Sequence, residues 1–118
     1  MVFVKAHEGM YGVFLSRTCT RGTVVRKFSD HEVVSEPTRT SIQVAEGMHV
    51  EDIIGRYVNH ACQPSCEIRD AKIVALKDLN EGEEITFDYN ENESTMATPF
   101  KCKCCGKRIA GKAGANNI

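Results

Sequence analysis

The sequence lacks an excess of charge of either sign, a long hydrophobic run and an internal repeat. Its 118 residues include fifteen basic and sixteen acidic residues, for a net charge of -1. Domains that bind nucleic acid directly carry a strong basic excess, so we expect no direct nucleic-acid partner. No apolar run approaches the ~20 residues of a membrane span, and His7 and Glu8 interrupt a signal-peptide pattern near the start. We therefore expect a soluble intracellular protein, in the nucleus or the cytoplasm, without a membrane partner.

The size and composition are those of one globular domain. Apolar residues make up 42% and charged residues 26% of the chain, which argues against disorder and fibrous repeats. Short segments rich in β-branched or aromatic residues alternate with glycine or polar turns, which predicts a mainly β protein of small sheets. Only residues 49–57 predict a helical turn, because apolar residues recur there at spacings of three and four. The predicted strands are Val2-Phe3-Val4, Gly12-Val13-Phe14-Leu15, Thr23-Val24-Val25, Ser41-Ile42-Gln43-Val44, Lys72-Ile73-Val74-Ala75-Leu76 and Glu84-Ile85-Thr86-Phe87.

Six cysteines in so short a chain indicate either disulfides or a metal site. Cys102, Cys104 and Cys105 lie too close together to bridge one another without strain. Because nothing points to export, we expect reduced thiols that are available to a metal. Cys19 is explained as an ordinary buried thiol, which packs like a small hydrophobe. A thiol-redox or zinc-storage role is a further alternative, although the cluster lacks the Cys-x-x-Cys context of redox folds.

Charge is unevenly distributed towards the end of the chain. Residues 78–93 contain seven acids and no Lys or Arg, whereas residues 101–112 contain five bases and no acid. One interpretation is a solvated acidic rim beside a solvated basic tail. The other is that the acidic stretch attracts a cationic peptide, since a field of one sign raises the encounter rate with opposite charge.

The pair Asn59-His60 stands between an apolar run and a cysteine–proline turn. An amide with two donor hydrogens and an acceptor oxygen suits recognition of a purine edge or a carboxylate. The alternative is a loop asparagine that hydrogen-bonds its own turn.

These residues and three further motifs resemble SET-domain protein lysine methyltransferases. Asn59-His60-Ala61-Cys62-Gln63-Pro64 resembles the Asn-His-Ser-Cys-x-Pro-Asn signature, and residues 82–89 resemble Gly-Glu-Glu-Leu-Thr-Phe-Asp-Tyr. Residues 9–14 are similar to the Gly-x-Gly-Val-Phe turn, with Met10 in place of its first glycine. Residues 100–104 match the start of the post-SET zinc segment. The four motifs follow the order of the family and cover nearly the whole chain.

The resemblance implies a mainly β SET domain of the β-clip type, with small sheets around a pseudoknot and a short cysteine-rich C-terminal tail. The implied division is a SET domain over residues 1–95, a post-SET-like metal-binding segment over 96–112 and a flexible tail over 113–118. The implied activity is transfer of a methyl group from S-adenosylmethionine to the ε-amine of a lysine, in a basic protein or peptide substrate such as a histone tail. The alternative is an inactive SET-like module that binds peptides or assembles complexes through a structural zinc.

The resemblance also implies roles for individual residues. Tyr89 is the implied catalytic residue, which orients the amine and the methyl group in line. Phe87 and Tyr57 line the implied substrate channel, where an aromatic wall and a sulfonium favour the neutral amine, so that no dedicated base is required. Because Phe87 leaves room beside the amine, it predicts di- or trimethylation; its alternative role is ordinary core. The implied cofactor-binding residues are Met10, Tyr11, Gly12, Asn59, His60 and Phe100.

A structural zinc with four thiolate ligands is the last implication. Cys62 supplies one ligand from the body of the domain, and Cys102 and Cys104 supply two from the tail. The family's last cysteine is missing, so Cys105 is the candidate for the fourth ligand and Cys66 its rival. A site of three thiolates, a site completed by a partner and a tail without metal are the alternatives.

Overall fold

The computed structural model describes residues 1–28, 32–103 and 105–112, and most of its regular structure consists of short strands. One 3-10 turn (Gly55–Tyr57) and one short helix, α1 (Tyr89–Asn92), interrupt them. The prediction of a mainly β protein built from small sheets is confirmed. The strands are β1 (Val2–His7), β2 (Met10–Leu15), β3 (Val24–Lys27), β4 (Glu32–Val34), β5 (Ile42–Ala45), β6 (Met48–Glu51), β7 (Asn59–His60), β8 (Cys66–Arg69), β9 (Lys72–Ala75), β10 (Glu84–Phe87), β11 (Phe100–Lys101) and β12 (Arg108–Ile109).

The sheet with the order β1-β2-β10-β7 brings distant parts of the chain together. Strands β1 and β2 form an antiparallel hairpin, and β10 pairs antiparallel with β2. Strand β7 then pairs parallel with β10, with Thr86 opposite Asn59 and Phe87 opposite His60. The two strongest sequence motifs therefore lie side by side, although β8 and β9 separate them along the chain and belong, with β3, to a different sheet.

The hairpin between β1 and β2 turns on two residues. Glu8 has φ 51° and Gly9 has φ 80°, the positive values that a tight two-residue hairpin loop of the primed type requires. Met10 therefore belongs to β2 and faces solvent, with 59% of its surface exposed.

The predicted helical turn over residues 49–57 is wrong for its first half. Residues 48–51 form β6, the central strand of the sheet β4-β6-β5, and only Gly55–Tyr57 are helical. Val50 is fully buried and lies opposite both Val33 and Ile42. Burial between two neighbouring strands thus outweighs the weak helical spacing, which also counted the exposed Ile53.

The core lies between the sheets and includes the inward positions of β2 and β10. Val13 and Ile85 are fully buried and Phe87 is 3% exposed, whereas Glu84 and Thr86 alternate to the other side of β10. Cys19 is buried in the same core, as expected of an ordinary thiol. Within the described ranges, no helix has the length and apolar character needed to cross a bilayer.

A buried ion pair holds in place the turn that precedes β7. The Arg26 guanidinium donates to both Asp52 oxygens, at 2.7 and 2.9 Å, and the Gly55 N–H donates to Asp52 at 2.6 Å. Although burial opposes ionisation of Asp52, the Arg26 guanidinium and the backbone N–H groups hold its pKa below the usual value. The pair therefore ties β3 to the turn that leads into the Asn59 motif.

Candidate functional site

Two cavities meet at the junction of β7, β10 and α1. The large cavity encloses about 580 Å³, and its lining includes Asn59, His60, Glu84, Tyr89 and Phe100. The small cavity is lined by residues that include Ile42, Val58, Phe87, Tyr89 and Glu93. Four residues line both cavities: Arg39, Tyr89, Met96 and Thr98. The Tyr89 side chain therefore lies on the wall between them.

Tyr89 is held at this wall as a neutral phenol. Its hydroxyl donates a hydrogen bond to the Val58 carbonyl oxygen, and its ring centroid lies 4.8 Å from that of Phe87. Burial, with further contributions from Glu93 and Glu84, raises the pKa of Tyr89 well above its usual value. A phenol in this state donates and orients, but does not act as a base near neutral pH.

Asn59 presents an oriented amide at the end of β7. Its Nδ2 donates to the Tyr11 carbonyl oxygen at 2.9 Å and to Glu84 Oε2 at 2.9 Å. Both amide hydrogens are therefore committed within the protein, which leaves Oδ1 as an acceptor for a ligand. A Cβ at Gly12 would lie 2.9 Å from Glu84 Oε2, so the glycine leaves the space that the Glu84 carboxylate occupies.

Glu84 is a site residue that the sequence reasoning did not select. It lies in the motif of residues 82–89, where the motif alone does not distinguish it from the adjacent Glu83. The alternation of apolar and polar residues in β10 could have identified it, because this alternation places Glu84 on the opposite side of the strand from the buried Ile85.

His60 links the large cavity to the cysteine-rich tail. Its Nδ1 accepts a hydrogen bond from the Tyr89 N–H at 3.0 Å, so the neutral imidazole carries its hydrogen on Nε2. Burial lowers the pKa of His60; Asp88 opposes this effect and Lys107 adds to it. The Nε2 atom lies 3.6 Å from the Cys62 sulfur.

The sulfurs of Cys62, Cys102 and Cys105 converge beside His60, and we call these three residues the sulfur cluster. The Cys62 and Cys102 sulfurs are 3.4 Å apart, and the donor atoms of His60, Cys62 and Cys102 lie within 4.8 Å of one another. The sulfurs of Cys62 and Cys105 are in direct contact. The reason is that β11 and β12 fold the tail back and place its sulfurs against the body of the domain.

One of the predicted metal ligands, Cys66, lies elsewhere. Cys66 is buried in β8 away from the sulfur cluster, 3.7 Å from the Ser65 hydroxyl, and burial raises its pKa to about 11. Cys104 lies outside the described residues. The structure thus brings Cys62, Cys102 and Cys105 together and does not bring Cys66 to them.

The remaining predicted residues lie at the rims. Met10 and Phe100 line the large cavity, and Tyr11 is exposed on β2 beside it. The Tyr57 ring packs 5.4 Å from the Tyr11 ring and does not line the small cavity. Its predicted place in a substrate channel stays a prediction.

Known proteins resemble this chain across the same residues. The model of the SET domain family matches residues 10–90. The methyltransferase flvH of Aspergillus flavus is 30% identical over 97 residues, which cover 76% of this chain and 53% of that protein. The histone-lysine N-methyltransferase ASHH2 of Arabidopsis thaliana is 32% identical over 73 residues, 55% of this chain and 4% of that protein.

A third relative is the histone-lysine N-methyltransferase, H3 lysine-4 specific, of Debaryomyces hansenii. It is 38% identical over 60 residues, which cover 43% of this chain and 6% of that protein. The chain therefore spans about half the length of the first relative and small parts of the other two.

Proposed function

The chain belongs to the SET domain family, and from this premise we propose that it is an S-adenosylmethionine-dependent protein-lysine N-methyltransferase. The observation that carries the proposal is the position of Tyr89, whose side chain lines both cavities at once. Methyl transfer by displacement needs the amine nitrogen and the sulfonium sulfur in line on opposite sides of the methyl carbon, and a residue that lines both cavities can position the two groups in this way.

The large cavity fits the cofactor. Its volume of about 580 Å³ lies within the range of ~300–1,000 Å³ typical of small-molecule sites. S-adenosylmethionine would supply a methyl group activated by a sulfonium. The Asn59 Oδ1 atom and the Glu84 carboxylate supply an acceptor and a negative charge for a cationic ligand, and His60 and Phe100 add aromatic surface.

The small cavity would take the lysine side chain. Ile42, Val58 and Phe87 give part of its wall an apolar surface against which an alkyl chain can pack. The Val58 carbonyl holds the Tyr89 hydroxyl, so the phenol ring is locked before the substrate arrives. Phe87 carries no hydroxyl that would crowd the amine, and we propose di- or trimethylation for this reason.

The proposed substrate is a basic protein segment such as a histone tail, and the proposed location is the nucleus or the cytoplasm. Two of the relatives are named histone-lysine N-methyltransferases, and residues 78–93 supply seven acids without a base. Opposite charge raises the encounter rate of such a segment. The division into a SET domain over residues 1–95 and a metal-binding segment over 96–112 remains part of this proposal; residues 113–118 lie outside the described residues.

The donor chemistry of the sulfur cluster fits a structural zinc. Soft thiolate sulfurs are ligands that zinc prefers, and Cys62, Cys102 and Cys105 provide three of them. The Cα atoms of Cys62 and Cys105 are 7.0 Å apart, beyond the range of about 4.4–6.8 Å usual for a disulfide. In the reduced protein these residues would hold the ion, and with it the Phe100 segment over the large cavity.

One observation favours the alternative of an inactive peptide-binding module. Met10 continues β2 where the family has a glycine in its cofactor loop, so the entrance to the large cavity carries an additional side chain. Calorimetric titration with S-adenosylmethionine separates the two functions, because a module of this kind gives no heat of binding.

The reaction is tested by incubation with labelled S-adenosylmethionine and an array of lysine-containing peptides. We expect label in basic peptides, and a loss of turnover of at least about 100-fold in Tyr89→Phe with the fold and cofactor binding retained. Undiminished turnover in that variant would remove Tyr89 from its proposed role, and an unlabelled array would contradict the proposed reaction.

A further inference from the structure

Glu93 is a buried carboxyl group in the wall of the small cavity. It directly follows α1, only 5% of its surface is exposed, and it lines the cavity together with Phe87 and Tyr89. It is also close enough to Tyr89 to contribute to the raised pKa of the phenol. A carboxyl group thus lies in the wall of the cavity in which the proposed function places the lysine side chain.

Among the described residues, the hydrogen bonds to the Glu93 carboxyl group use one of its two oxygens. Oε2 accepts hydrogen bonds from the Gln43 N–H at 2.9 Å and from Asn92 Nδ2 at 2.5 Å. No hydrogen bond from a described residue reaches Oε1, and the carboxylate forms no ion pair with a described lysine or arginine. One oxygen of the group is therefore available to a ligand.

The charged and titratable groups around Glu93 are few. Arg39 and Arg56 line the same cavity, and the Tyr89 phenol stays neutral. Lys112 contributes only its backbone N–H, which donates to the Glu93 carbonyl oxygen at 2.7 Å. The charge of an ionised Glu93 is thus not compensated by a direct partner within the described part of the chain.

A buried carboxylate without a cationic partner is costly, because burial removes water from the charged form. In agreement with this, burial raises the pKa of Glu93, while the Gln43 and Asn92 hydrogen bonds offset part of the effect. An ammonium group that enters the small cavity would supply the missing partner. The same burial makes the carboxylate a better proton acceptor than an exposed one.

We propose that Glu93 binds the target ammonium in the small cavity and accepts its proton. This inference rests on the proposed function and names the proton acceptor that the family resemblance did not require. The N–H bond of the ammonium breaks and the proton passes to Glu93 Oε1, directly or through one water. The freed lone pair forms the bond to the methyl carbon as the carbon–sulfur bond breaks and its electron pair stays on sulfur.

Glu93→Gln tests this role, and Glu91→Gln is the matched control. Glutamine keeps the size of the side chain and an oxygen that accepts the Gln43 and Asn92 hydrogen bonds, but it cannot take a proton. Glu91 lies on α1, is exposed and does not line the small cavity. Melting temperature and cofactor affinity are measured for both variants, so that loss of fold is separated from loss of chemistry.

The readout is the rate of methyl transfer as a function of pH. We expect the wild type to lose activity as the pH falls through the raised pKa of Glu93, and Glu91→Gln to follow it. Glu93→Gln should lose about 10²–10⁴-fold at neutral pH and recover at high pH, where the free amine is present in solution. An equal loss at every pH would indicate a structural role and overturn the inference.

A second measurement is independent of turnover, and its pH dependence in the wild type does not require the variant. n-Butylammonium, the end of the lysine side chain alone, is titrated into the wild type and followed by NMR. We expect the affinity to fall as Glu93 is protonated at low pH, and to be about 10–100-fold weaker in Glu93→Gln at neutral pH. An affinity that is constant with pH and equal in the two proteins would refute the role of Glu93 even if methyl transfer occurs. An inactive wild type would refute the proposed function, and the butylammonium titration would still decide whether Glu93 receives the cation.

Discussion

Removal of the Glu84 carboxylate should weaken the binding of S-adenosylmethionine without unfolding the protein. Glu84 Oε2 accepts a hydrogen bond from Asn59 Nδ2 at 2.9 Å and lines the large cavity. A hydrogen bond to a charged group contributes about 1.5–3 kcal/mol, and partial exposure to solvent reduces this to about 1–2 kcal/mol. For Glu84→Ala we therefore expect a dissociation constant about 5–30-fold higher.

Gly12→Ala should have the same effect by a different route. Its Cβ would lie 2.9 Å from Glu84 Oε2 and 3.1 Å from the Phe14 ring, so the Glu84 carboxylate must move away from Asn59. Because both substitutions remove the same contact, between Glu84 and Asn59, the double variant should bind S-adenosylmethionine little more weakly than either single variant. Such non-additivity is the mark of two residues that act through the same interaction.

Isothermal titration calorimetry with S-adenosylmethionine measures these affinities, and circular dichroism checks the fold. Glu81→Ala is the control, because this glutamate is exposed in the turn before β10 and does not line the large cavity. Unchanged affinity in a folded Glu84→Ala would refute the proposed orientation of the Asn59 amide. Additive losses in the double variant would show that Gly12 acts by some means other than the Glu84 carboxylate.

Three other predictions concern stability, product and metal. Arg26→Ala leaves the Asp52 carboxylate buried without its partner and should lower the free energy of unfolding by about 3–5 kcal/mol in urea titrations. The pKa of Asp52 is lower in the folded protein than in the unfolded chain, so its ionised form stabilises the fold. This contribution is fully present above the unfolded pKa of ~3.9 and is lost as the pH falls through the folded pKa. A wild-type melting temperature that is flat below pH 4 would contradict this. Phe87→Tyr should shift the product towards monomethyl-lysine, because the added hydroxyl crowds the amine. The product is measured by mass spectrometry of a reacted peptide, and a wild type that gives only monomethyl product would disprove the role of Phe87. Protein purified under reducing conditions should contain about one zinc per chain, and a chelator should lower its melting temperature. A zinc content well below one per chain, or an unchanged melting temperature, would count against the zinc site.

The fold class and the two central motifs could be predicted from the sequence because their signals are local. Alternation of apolar and polar residues in 84–87 places Ile85 and Phe87 in the core, and the structure has this strand with the predicted bounds. The same kind of local signal failed at β6, where the helical spacing of three and four was weak. There the pairing of Val50 with two neighbouring strands decided the structure.

The partners of individual side chains could not be predicted in this way. Glu84 and Glu93 were two of seven acids in one stretch, and composition does not distinguish an exposed carboxylate from one buried against Gln43, fifty residues away. Cys66 and Cys105 were rivals for one ligand position because spacing alone does not show which sulfur meets Cys62.

The sequence by itself determined which residue types are present at the ends of β7 and β10 and which faces of those strands enter the core. The tertiary structure alone decided that the two strands lie parallel and in register, so that Asn59 meets Glu84 and Tyr89 separates two cavities. The physical reason is that strand periodicity depends on neighbours two positions apart. The site depends on contacts between residues 25 or more positions apart, whose geometry is set by sheet register and by the packing of the core.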